Sequence, residues 1–153
     1  EPRADAIRSM VELRTAMGPD IAARAAMRRD DDALPRLSAV VERMTAVPRG
    51  ELVVLQKLSM ELWRILVDSS GNVAYALLFN TLDHAYGGVA DVVAPALASE
   101  LTDLAGYRAL VRAVAARDAR AARRVAARML AHGEAGMDVL LEGAARSFAQ
   151  GGG

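Results

Sequence analysis

Residues 62–82 read LWRILVDSSGNVAYALLFNTL. Apolar side chains recur at helical spacing through Leu62, Ile65 and Leu66, stop at Ser69-Ser70-Gly71-Asn72, and resume at Val73. Ser, Gly and Asn in succession are turn and cap residues. Gly adopts backbone angles that other residues avoid, and Asn hydrogen-bonds its own backbone. The stretch therefore reads as a helix, a tight turn and a second helix. It decides the fold, because the same pattern repeats on both sides of it.

Upstream, Ala4 to about Met17 carries Ile7, Met10, Val11 and Met17 on one helical face. Gly18-Pro19 is expected to weaken or kink this helix before IAARAAMRR continues it. Asp30-Asp31-Asp32 suits the positive end of the next helix, and Pro35 fits its first turn. Leu34, Leu37, Val40, Val41, Met44 and Val47 form its stripe. Pro48-Arg49-Gly50 is a break, and Leu52, Leu55, Leu58 and Leu62 open the third stripe. Downstream, the spacing predicts a fourth helix from about Val73 into the nineties, with Gly87-Gly88 as a bend and Ala94-Pro95 as an end or kink. A fifth helix is expected over roughly 100–116, with Asp118 as the next N-cap. The last helix starts ARAARRVAARML at 119–130 and runs past Gly133 and Gly136 to about Phe148. Six to seven helices joined by short turns imply an all-α antiparallel bundle. The expectation is one domain over 1–153, with the bundle at 4–148 and a flexible tail at 149–153.

Composition agrees with this reading. Of the 153 residues 53% are hydrophobic, much of that alanine, and only 4% are aromatic. Alanine and arginine favour helix, and runs of strand-forming residues are nearly missing. With 19 basic and 19 acidic side chains the net charge is zero. A domain gripping nucleic acid by its phosphates usually carries a basic excess, so none is expected to be held by this chain itself. There is no cysteine, hence no disulfide and no thiolate metal site. No apolar run reaches the roughly 18–20 residues of a membrane span. The two histidines, His84 and His132, sit in no catalytic or metal-binding motif, and no phosphate-binding glycine loop is present. An enzyme is not expected.

Polar residues near the central turn raise the functional question. Asn72 suits a turn or cap as well as a ligand contact. Tyr75 and Tyr107 suit core aromatics whose hydroxyls reach a backbone carbonyl, or the lining of a pocket. Arg14 lies among Met10, Val11 and Met17, so it either snorkels to the surface or faces a cavity. His84 is expected to be partly buried and hydrogen-bonded.

Three segments, VELRTAMGPDIAARAA at 11–26, LWRILVDSSGNVAYALLFNTL at 62–82 and YRALVRAVAARDARAARRVAARMLAH at 107–132, resemble in order and spacing the C-terminal effector domain of GntR-family transcription regulators of the FadR subfamily. The Ser70-Gly71-Asn72 turn leading into an apolar helix is the most specific part. Many such domains hold a divalent metal through an Asp, a His four residues later and two further His. Those positions fall here on Ser59, Trp63, Tyr107 and Met129, which are poor ligands for a hard cation. No metal and no cofactor is expected.

The resemblance then implies the metal-free branch, whose effector is a long-chain acyl-CoA. Ser70, Gly71, Asn72, Tyr75 and Asn80 keep that branch's spacing, and Tyr86, Tyr107 and Arg14 also match. The implied ligand-binding residues are Arg14, Trp63, Asn72, Tyr75, Asn80, Tyr86 and Tyr107. The implied partners are a fatty acyl-CoA or fatty acid and a second copy in a homodimer. DNA would be reached only through a winged-helix domain N-terminal to this chain; no membrane partner is expected, and a cytoplasmic location is. Two alternatives stand beside this reading: a small organic acid as effector, and a structural dimerisation bundle with a filled core.

Overall fold

The structure is a computed structural model that describes residues 2–151. Among these residues it contains eight helices and no strand: α1 Pro2–Arg28, α2 Ala33–Thr45, α3 Leu52–Ser70, α4 Val73–Gly87, α5 Ala90–Ala96, α6 Ala98–Leu101, α7 Leu104–Ala115 and α8 Ala119–Gly151. The long helices α1 and α8 pack side by side and run antiparallel. Asp20 of α1 meets Arg123, Gly18 meets Leu130 and Arg14 meets Gly133, so the partner number falls as the α1 number climbs. Helix α3 lies against both α1 and α2, α7 closes the bundle between α2 and α8, and the short α5 and α6 cross from α3 to α8.

The central turn forms as its residues dictate. Gly71 takes the left-handed conformation (φ +63°) that ends α3, and the Asn72 side chain accepts the Tyr75 backbone N–H at 3.2 Å to start α4. The acidic run caps α2 through its first member: Asp30 accepts from the Ala33 N–H at 3.0 Å. Asp118 does the same for α8, accepting from Ala121 at 2.9 Å. The arginines at the end of α1 serve two other helices. Arg28 donates to the Ser70 carbonyl at the end of α3, and buried Arg29 donates to the Val114 and Ala115 carbonyls at the end of α7. Cations suit these negative helix ends.

Three expectations change. Gly18-Pro19 does not interrupt α1. A proline inside a helix costs about 3 kcal/mol, yet Met17, Ile21, Ala22, Ala25 and Ala26 around it are all buried, and their packing offsets that loss. The fourth helix does not reach the nineties. It ends at Gly87, and the chain turns twice before α7, which gives eight helices in place of six to seven. The expected fifth helix begins at Leu104 rather than near Glu100, because Asp103 accepts from the Gly106 N–H at 2.9 Å and fixes the start there. Of the expected tail, 149–151 continue α8, and Gly152 and Gly153 lie outside the described residues.

Candidate effector cavity

The bundle holds a partly open cavity of about 40 Å³. Helix α1 supplies Arg14, Met17 and Ile21 to its wall; α3 supplies Gln56, Ser59, Met60 and Trp63; α4 supplies Phe79, Leu82 and Tyr86. Leu97, Glu100 and Leu101 enter from the α5–α6 crossing, and Leu130 from α8. The α4 residues follow from helix geometry. Phe79, Leu82 and Tyr86 are three and four residues apart and share one face, which is buried. Gly18 lets α1 and α8 meet here: a Cβ on it would stand 2.3 Å from Leu130 Cδ1.

One ion pair is buried in the wall of the cavity. Arg14 donates through Nη2 to both carboxylate oxygens of Glu100, whose side chain is 3% exposed. Burial, the largest single influence, opposes the guanidinium charge, but the Glu100 carboxylate together with Tyr86 and Tyr107 outweighs it, so the Arg14 pKa ends above its ordinary value. Gly133 makes room for the pair against α8, since a Cβ there would lie 1.9 Å from Glu100 Oε2. Three polar atoms of the wall have no hydrogen-bond partner within the protein: Arg14 Nη1, Gln56 Oε1 and the Tyr86 hydroxyl oxygen. Burial pushes the Tyr86 phenol above its ordinary pKa.

The seven residues implied by the resemblance divide into two groups. Arg14, Trp63 and Tyr86 line the cavity. Tyr107 lies directly behind it, fully buried, donating to Ser59 Oγ at 2.9 Å. Burial drives its phenol far above the usual range, so it stays a neutral donor. Asn72 caps α4. Tyr75 donates to Asp20 Oδ2 at 2.6 Å in a surface cluster with Arg24 and Arg123. Exposed Asn80 accepts from Arg64 at 2.9 Å. These three are not in the cavity wall. His84 is exposed rather than partly buried, because it points to the outer side of α4.

Sequence reasoning missed Glu100, Gln56 and Gly133. Glu100 follows Leu97 by three residues on an otherwise buried face, and Arg14 stands alone in the apolar stripe of α1. Those two isolated charges of opposite sign were the available signal.

The former metal positions do not fit a cation. Ser59 is committed to Tyr107, Trp63 has only an N–H to offer, and Met129 is fully buried with a soft sulfur. Among the described residues no group of three or more His, Asp or Glu side chains could hold a metal ion. No helix among them is long and apolar enough to cross a membrane.

Fold and site together define a helical bundle with a small, mostly apolar interior and one charge pair in its wall. The model of the FCD domain family matches residues 9–132, which span every residue of the cavity wall. The chain belongs to that family, the C-terminal effector-binding domain of GntR-family regulators. No curated protein matches it.

Proposed function

We propose that this chain senses an acyl-type effector, without a metal, for a FadR-like regulator whose winged-helix domain lies N-terminal to it. The observation that carries this reading is the wall of the cavity. Met17, Ile21, Trp63, Phe79, Leu82, Leu97, Leu101 and Leu130 offer an apolar sleeve, and Arg14, Gln56 and Tyr86 of the same wall carry buried polar atoms without a partner. An apolar body with a single polar head matches that division. Each methylene moved from water into the sleeve contributes about 0.8 kcal/mol. A fatty acid or fatty acyl-CoA has this form.

Volume favours a second reading. The cavity is about 40 Å³, whereas pockets for sizeable ligands run to roughly 300–1,000 Å³. A short organic acid fits with little movement. A long acyl chain needs the α4–α6 segment to move outward. That segment is the natural place for such movement: α5 and α6 are short, and Gly87-Gly88 precede them. Effector binding would then select the opened arrangement and alter how the DNA-reading domains are placed.

The same proposal includes a homodimer. Helix α4 leaves Val73, Leu77 and Leu78 76%, 65% and 37% exposed, an apolar stripe at helical spacing on the face away from the cavity. A second copy of α4 is a suitable cover for it.

Thermal unfolding in the presence of a chelator tests the effector reading. A ligand at a hundred times its Kd stabilises the folded chain by about 2.7 kcal/mol. Acyl-CoA or fatty acid is expected to raise Tm, and short acids alone would do so on the second reading. Stabilisation that requires added divalent metal would overturn both.

A further inference from the structure

Helix α8 turns one face to the core and leaves the opposite face bare. Ala122, Ala126, Met129 and Met137 are buried on the inner side. The line directly opposite, through Arg120, Arg124, Ala127, Ala131, Asp138 and Glu142, is exposed along its whole length. Charge is sorted along this outer face. Its first half carries Arg120, Arg124 and Arg128 and no acid, and its second half carries Glu134, Asp138 and Glu142 and no base. Among the described residues none of these six charges takes part in an ion pair. Within each half, like charges stand four residues apart, which weakens the helix by itself. The same charges in alternation would have supported it.

We propose that the outer face of α8 docks on the same face of a second copy of this chain, antiparallel, about a two-fold axis at Ala131. Arg120 and Glu142 are each eleven residues from Ala131, Arg124 and Asp138 seven, and Arg128 and Glu134 three. Laying one α8 against another in reverse about that point therefore brings each arginine to a carboxylate. Arg120 meets Glu142 of the partner subunit, Arg124 meets Asp138 of the partner subunit, and Arg128 meets Glu134 of the partner subunit. The axis repeats every contact, as a self-complementary interface requires. Ala127, Ala131 and Ala135 lie between the charges and obey the same symmetry. Their methyl groups let two helix backbones come close. A polyanion such as nucleic acid suits the first half of the face and is repelled by the second. The contact is separate from the α4 stripe and independent of what the cavity binds. Alongside a contact through α4, it would link one dimer to the next.

Sedimentation velocity of the Leu77→Lys chain tests the idea, because that substitution disables the α4 stripe and leaves α8 alone. At low ionic strength this chain is expected to self-associate, and salt at about 0.5 M should weaken the association several-fold by screening exposed pairs. In the same background, Arg124→Glu or Asp138→Arg sets like charges opposite each other twice about the axis. Either is expected to weaken association about tenfold or more. An equimolar mixture of the two variants restores opposite charges at both places in the mixed dimer and is expected to regain the parent affinity, which also shows that both are folded. The chain carrying both substitutions is expected to recover likewise. No self-association at low salt, variants that associate like the parent, or a loss that neither mixing nor the double substitution repairs would overturn the α8 contact. A loss in Arg124→Glu with Asp138→Arg unaffected would overturn it too, and would assign the basic half to an acidic partner.

Discussion

Tyr86 carries a buried hydroxyl that the resting fold does not satisfy. An unpartnered buried polar group costs about 1–3 kcal/mol. Tyr86→Phe is therefore expected to raise the urea midpoint of the ligand-free chain while weakening effector binding. A lower midpoint would show that the hydroxyl already has a partner. Asp20 gives a pH signature. Hydrogen bonds from Tyr75 first, then Arg24 and Arg123, hold its carboxyl well below the ordinary 3.8. The unfolded chain therefore binds the proton first, and stability present above that pH falls as the solution is acidified below it. Asp20→Asn should flatten this acid limb in a Tm-against-pH series; an unchanged limb would show that Asp20 does not control it. At this scale Arg14 stood out in the sequence as a charge in an apolar stripe, while Trp63 and Tyr86, which also line the cavity, were pointed to by the resemblance alone. Asn80 is one residue past Phe79, about 100° around α4, and its exposure followed from that offset. Glu100 was hidden because its partner lies 86 positions away, a pairing that no local pattern encodes.

Helix ends and crossings were legible where a side chain caps them and obscure where packing decides. Gly71-Asn72 and Asp118 announced their turns. Pro19 announced a break that the buried residues around it override. The α4–α6 crossing was missed because its short helices are set by docking on α8, where a Cβ on Gly136 would stand 1.9 Å from the Ala96 carbonyl oxygen. Gly133→Ala tests the companion contact. Its added methyl would overlap Glu100, which Arg14 holds in place, so the variant should lose about 1–3 kcal/mol in chemical denaturation. A neutral result would mean that α6 shifts freely. Arg29→Met should also destabilise, by roughly 2–3 kcal/mol, because the ends of α1 and α7 lose a buried connection at the Val114 and Ala115 carbonyls. On α4, Leu77→Lys places a charge in the exposed apolar stripe. On the homodimer proposed above, analytical ultracentrifugation should show the variant shifted toward monomer, and an unaltered dimer would move the interface elsewhere.

At the scale of the whole molecule, helices α1, α3 and α8 carry most of the buried core, and the α5–α6 crossing adds Val93, Ala94, Leu97 and Leu101 together with Glu100. An effector entering beside Arg14 would meet Glu100 of α6 first. Class and architecture were readable from periodicity alone, since apolar stripes at helical spacing leave few other folds. Cavity size was not, because it depends on how closely α1 and α8 approach at Gly18. The most direct test is Trp63 emission, the chain having one tryptophan and that one in the cavity wall. Free acids, methyl esters and acyl-CoA of matched length would be titrated in turn with a chelator present. A saturable change in emission with at least one of them is the result expected. No change with any, or a change that appears only after a divalent metal is added, would contradict a metal-independent effector site in this bundle.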